Sequence, residues 1–115
     1  GDRRRFWGSN LISNASPLII LAKVDLLREF LKLNTLEISE EVYSEAIRKG
    51  LEIGKQDAQM LDALLNEGKI NIIKLNQEHG KISKKIVETY NLDKGEAETI
   101  ALAMQMKRKE ILMLG

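Results

Sequence analysis

Leu92-Asp93-Lys94-Gly95-Glu96-Ala97-Glu98-Thr99-Ile100-Ala101-Leu102-Ala103 joins a helix-start signal to two carboxylates and then to a run of small apolar residues. Asp93 reads as an N-cap, and Glu96 three positions later completes the pattern of a capping box. Ala97, Ile100, Ala101 and Met104 recur at helical spacing, which predicts one apolar face. The small side chains Ala97, Ala101 and Ala103 let the helix lie close to a neighbour. Glu96 has two readings. As a capping carboxylate it satisfies backbone N–H groups at the positive end of the helix dipole, a role worth about 1 kcal/mol. As an acid fixed at a helix start, it is a candidate site residue. The stretch alone favours capping.

The rest of the composition narrows the chemistry. The chain has 115 residues, 43% hydrophobic and 30% charged, enough for one domain with one core. Its 18 Lys and Arg against 17 Asp and Glu leave a formal charge of +1, so no global basic field marks a nucleic-acid or membrane surface. With no cysteine and a single histidine, His79, disulfides and thiolate or histidine-rich zinc sites are excluded within one chain. A divalent ion held by carboxylates is the metal chemistry that remains. No apolar run approaches the ~20 residues that cross a bilayer, and no signal-peptide core follows the arginines at the start. A cytoplasmic protein is the expectation, by exclusion.

Residues 1–10 read as a flexible N-terminal tail, and residues 11–115 as the single domain. Arg3, Arg4 and Arg5 beside Phe6 and Trp7 could stack on single-stranded nucleic acid, but a frayed end is the simpler reading. Leu11-Ile12-Ser13 reads as a buried strand, with Ser16 as the next N-cap and Pro17 as the first helical residue. Leu18 to Val24 is then a helix buried on most sides, and Asp25 caps a second short helix. Thr35 to Ile38 is a strand. Ser39 caps a helix running to Lys49, with Val42, Ala46 and Ile47 inward and Gly50 ending it. Glu45 lies beside that apolar stripe, where pairing with Lys49 across the solvated face is the plain interpretation.

Gln56 to Leu65 is helical, and Gly68 stops it. Ile70 to Leu75 is a partly buried strand, His79 an exposed turn residue, and Ile82, Ile86, Val87 and Tyr90 the stripe of another helix. Glu110 to Leu114 closes the chain as a late strand. Strands separated by helices predict an α/β fold: three layers, α/β/α, around a central, mainly parallel sheet of about four strands. Ligands of such sheets gather beyond the carboxyl ends of strands where the strand order reverses, which directs attention to Asn14.

Three stretches in order, Ser13-Asn14-Ala15-Ser16-Pro17-Leu18-Ile19, Ser39-Glu40-Glu41-Val42-Tyr43-Ser44-Glu45 and Gly95-Glu96-Ala97-Glu98-Thr99-Ile100-Ala101-Leu102-Ala103, resemble the PIN-domain family. The resemblance runs from about Leu11 to Leu114 and is nearest to a small prokaryotic branch of toxin-type ribonucleases. It implies a nuclease fold in which separated acids hold Mg²⁺ or Mn²⁺ and hydrolyse RNA phosphodiesters, with an antitoxin protein as partner. The physical demand is clear: hard cations take oxygen ligands and stabilise both the attacking and leaving oxygens. Glu45 matches the middle acid and Glu96 the acid opening the later helix, while Asn14 stands where the family usually has its first aspartate. Glu98 is a helper candidate, although it points roughly 200° away from Glu96. Ser16 and Thr99 are candidates for positioning water or substrate.

Two departures from the family pattern qualify these expectations. Asn14 offers a carbonyl oxygen but no charge and cannot act as a base, so any metal is held weakly. The family also continues past this point with further aspartates, a helix and a strand, so the chain reads as shortened at its C-terminus, leaving apolar surface that a homodimer would cover. The alternative to a ribonuclease is therefore a degenerate, weak or inactive PIN-like domain acting as an interaction module.

Overall fold

The computed structural model describes residues 9–107 and 111–112. The Arg3–Arg5 cluster with Phe6 and Trp7 lies outside them. Four parallel strands, β1 (Ser9–Ser13), β2 (Asn34–Ile38), β3 (Ile70–Ile72) and β4 (Ile111–Leu112), form one sheet in the order β3-β2-β1-β4. The chain adds β2 and β3 on one side of β1, then returns to the other side with β4. Strand order thus reverses between β1 and β4, which places the crevice expected to hold ligands beyond their carboxyl ends.

The helices are α1 (Ala15–Lys23), α2 (Leu27–Phe30), α3 (Glu40–Tyr43), a π-helical turn over Ser44–Arg48, α4 (Lys49–Glu52), α5 (Gln56–Asn66), α6 (Gln77–Tyr90) and α7 (Lys94–Met106). Successive strand residues face opposite sides of the sheet and feed separate layers. Leu11, Leu36, Ile38 and Ile70 share a core with Leu18, Val42, Ile47, Leu61 and Leu64 from α1, α3, the π turn and α5. Ile12 faces the other way, against Leu102 and Ala103 of α7. Each fully buried Leu or Ile contributes roughly 1.5–3 kcal/mol. The three-layer α/β/α arrangement with four parallel strands agrees with the sequence.

Local departures have identifiable causes. Strand β1 starts at Ser9, inside the expected tail, because Ser9 and Asn10 pair with Asn34 and Thr35. Asn14, not Ser16, occupies the N-cap of α1, since the extended strand backbone runs to Asn14 (φ −86, ψ −176) and the helix starts at once. Pro17 then sits inside the first turn, where its missing N–H would have had no intrahelical partner. Helix α1 lies on one layer and shows its other face to solvent: Pro17, Leu18 and Ala22 are buried, whereas Ile20 and Val24 are 47% and 55% exposed.

Asp25 caps nothing. It adopts a left-handed conformation, φ 59, and Leu26 precedes α2. Gly50 does not end its helix either: it is buried, and a Cβ there would come within 2.6 Å of Ala58 Cβ, so the glycine lets α4 press on α5. The stop falls instead at Gly54, φ +74. Strand β3 is shorter than expected, although Ile73 N still donates to Ile38 O at 2.9 Å. His79 belongs to the first turn of α6, where its N–H donates to the Asn76 cap at 2.8 Å. Tyr90 and Met104, assigned to apolar faces by spacing, are 70% and 52% exposed. The expected last strand is seen as Ile111–Leu112, with Glu110, Met113 and Leu114 outside the described residues.

Candidate functional site

Helix N-termini gather at the carboxyl edge of the sheet. Helices α1 and α3 begin directly after β1 and β2, and α7 runs back toward the start of β4, so its own start lies at the same edge. Three N-cap side chains close their helices in the ordinary way. Ser39 Oγ accepts from Val42 N at 3.1 Å, Asn76 Oδ1 from His79 N at 2.8 Å, and Asp93 Oδ1 from Glu96 N at 2.8 Å. Asn14, the cap of α1, makes no such bond. Its side chain is 5% exposed, and Oδ1 is fully buried with no hydrogen-bond partner among the described residues. The Ser13 hydroxyl donates to Asn14 O at 2.8 Å and so steadies the backbone, not the amide. A buried oxygen left this way costs about 1–3 kcal/mol, unless a donor or cation from outside the chain meets it.

The acids come from two other elements. Glu45 projects from the π-helical turn, a distortion frequent at functional sites. Its carboxylate reaches the first turn of α7 closely enough that a Cβ on Gly95 would stand 2.9 Å from Oε1 and 3.2 Å from Oε2. Burial pushes the Glu45 pKa up, and the negative charges of Asp93, Glu41 and Glu96 push it further, against the opposing pull of Lys49. The Glu96 pKa is also raised, first by its hydrogen bond to Asp93 and then by that neighbour's charge. Both residues thus stand in a field that disfavours ionised carboxylates in the absence of a cation.

Other expected residues take different places. Glu98 Oε1 accepts from Glu41 N at 3.2 Å, which ties α7 to the start of α3. Lys94 Nζ lies 3.4 Å from Glu41 Oε1. Thr99 is completely buried and donates to Gly95 O at 2.8 Å, so it braces its own helix instead of positioning water. Ser16 is exposed in the first turn of α1, beside Asn14. The structure brings Glu45 within electrostatic reach of Glu96, the weakest of the charges acting on it, while Asp93 acts on both. No hydrogen bond joins Asn14 to either of them among the described residues, and Glu98 is engaged with Glu41 N.

The donors match Mg²⁺ or Mn²⁺ in kind, two carboxylates and one buried amide oxygen. In number they are few: among the described residues no group of three or more His, Cys, Asp or Glu could hold a metal ion. Two contributors escaped sequence reasoning. Asp93 reads in the sequence only as a cap, yet its charge acts on both glutamates. Gly95 is what admits the Glu45 carboxylate to α7. Its signal was present, since a glycine inside a helix costs about 1 kcal/mol relative to alanine and calls for a reason.

A parallel sheet of order β3-β2-β1-β4, helices on both faces and acids gathered at one strand edge define an α/β/α domain whose site is built from helix starts. A family model for the PIN domain matches residues 10–113. The chain belongs to the PIN-domain family. Among solved structures it is similar to a chain of a toxin–antitoxin complex from Klebsiella pneumoniae, at 18% identity and a TM-score of 0.60, over 91% of this chain and 86% of that one. At that identity the likeness speaks for the fold. No curated protein matches the sequence. Among the described residues, no helix is long and apolar enough to cross a membrane.

Proposed function

We propose that this PIN domain is a divalent-metal-dependent endoribonuclease of the toxin kind, controlled by an antitoxin protein. The observation that carries the reading is Asn14 Oδ1, a buried acceptor without a partner at the point where the strand order reverses. Glu45, Glu96 and Asn14 would hold the ion, Mg²⁺ or Mn²⁺, which when bound would supply positive charge to a phosphodiester undergoing hydrolysis. Desolvation of Glu45 strengthens its attraction to a cation, because charges interact more strongly where water is excluded. Ser16 and the free backbone N–H groups opening α1 face the same edge and suit a phosphate oxygen. Membership of the PIN family and the toxin–antitoxin neighbour support the assignment.

The test is cleavage of a labelled single-stranded RNA in Mn²⁺, in EDTA, and with Glu96→Gln. Cleavage in Mn²⁺ that EDTA and the substitution both abolish is the expected result. Equal cleavage by parent and Glu96→Gln removes the assignment. A second reading has its own support in the missing first aspartate and the small number of acids: a PIN-like interaction module that has lost hydrolysis and binds an antitoxin or a second copy of itself. Asn14→Asp separates the two, since restored charge raises cleavage only where the rest of the site is competent.

A further inference from the structure

Glu45 also lines a cleft of about 130 Å³ between α1, the π turn and α5. Lys23, Lys49 and Lys55 line it, and its described carboxylates are Glu45 and Asp57. Among the described residues none of the three ammonium groups is within ion-pair distance of a carboxylate, whereas Lys32 and Lys94 both are. Three exposed lysines converge here on a molecule whose formal charge is only +1, so the patch is local by construction. The backbone sharpens it. Lys55 occupies the N-cap of the eleven-residue α5 and makes no side-chain cap bond, which sets a cation where an oxygen acceptor is normally found.

We infer that this cleft holds a backbone phosphate of single-stranded RNA, one next to the phosphate under attack. The inference rests on the ribonuclease reading and names the path of its substrate. Glu45 lines the cleft and its carboxylate also reaches Gly95 in the first turn of α7, so a strand passing Glu45 presents successive phosphates to the acids and to the ammonium groups. The cleft is small and of mixed lining, its three ammonium groups set beside Ile19, Ala46, Ile53 and Ala58, and among the described residues it offers an oxyanion cations but a base no aromatic surface. Lys49 serves both sides, since its charge already acts on Glu45.

The experiment measures fluorescence anisotropy of a mixed-sequence, labelled single-stranded RNA with the Glu96→Gln protein, which binds without cutting, over a series of salt concentrations. Each phosphate contact in single-stranded nucleic acid contributes about 0.7 to the slope of log K against log salt. Lys23→Gln, Lys49→Gln and Lys55→Gln together are expected to make the slope shallower by about 0.7, the contribution of the one phosphate they hold. The control triple Lys32→Gln, Lys81→Gln and Lys85→Gln removes the same charge from exposed positions elsewhere and is expected to leave the slope unchanged. Equal effects of the two triples, or none from the first, overturn the proposal. So does inorganic phosphate shifting the lysine side-chain NMR signals while RNA binding stays insensitive to the first triple, which assigns the cleft to a small oxyanion. The ribonuclease reading fails separately, by absence of Mn²⁺-dependent cleavage in the parent protein.

Discussion

Helices α1 and α7 both start at the carboxyl edge of the sheet, and their caps behave in opposite ways. Asp93 closes α7 by accepting from Glu96 N, while Asn14, a residue type equally suited to capping, leaves its oxygen buried and unpaired. Folding alone does not favour this: an unsatisfied buried oxygen works against stability, and a cap bond would have supported it. The difference teaches that one helix start is closed by its own cap while the other keeps an unpaired acceptor, which the proposed site would use.

The largest effect expected from breaking this contrast is on chemistry. Glu45→Gln should lower Mn²⁺-dependent RNA cleavage by at least about 100-fold, since a metal ligand supplies several kcal/mol of charge stabilisation and each 1.36 kcal/mol is tenfold in rate. Single-turnover cleavage against the parent checks it. On stability the two caps should diverge. Asp93→Ala should cost about 1 kcal/mol in urea unfolding, while Asn14→Ala should change stability by under about 0.5 kcal/mol, because it removes no bond and frees the fold of an unpaired oxygen. Equal losses in both would mean that Asn14 caps its helix after all.

Gly95→Ala sharpens the contrast further. The added methyl meets the flexible end of Glu45 and not backbone, so the carboxylate must move while α7 gains helix propensity. Unfolding should shift by no more than about 1 kcal/mol, in the stabilising direction, and cleavage should fall. The smallest expected effect is on pH dependence. Because the folded protein raises the Glu45 pKa, the native state binds that proton more tightly than the unfolded chain. Without metal, stability should decline as pH rises from the ordinary carboxylate range through the raised value, and Glu45→Gln should flatten that decline in a series of urea titrations. Mn²⁺ affinity should change the opposite way, weakening as pH falls and protons compete for the same oxygen.

Layering and strand order were legible because they rest on periodicity and punctuation: apolar strands, helix caps at Ser39 and Asp93, and glycine at the end of α5. The resemblance pointed to Glu45, Glu96, Glu98 and Thr99 alike. The placement of the last two is decided locally. Their partners, Glu41 N and Gly95 O, are backbone atoms, and their pairing depends on how α7 is rotated against α3. The same blindness hid the turns: Asp25 and Gly50 look like punctuation in the chain, but a left-handed bend and a helix contact decided their roles. The unpaired oxygen of Asn14 could not be read at all. It is a fact about what surrounds a side chain, and only the assembled core reveals it.

Calorimetric titration of Mn²⁺ into the metal-free protein, beside Glu45→Gln and Asn14→Ala, is the most direct check on a cation site at this edge. Expected are saturable heat in the parent, none in Glu45→Gln, and weaker binding in Asn14→Ala. Heat that persists unchanged in both variants, or no heat in the parent, would contradict it.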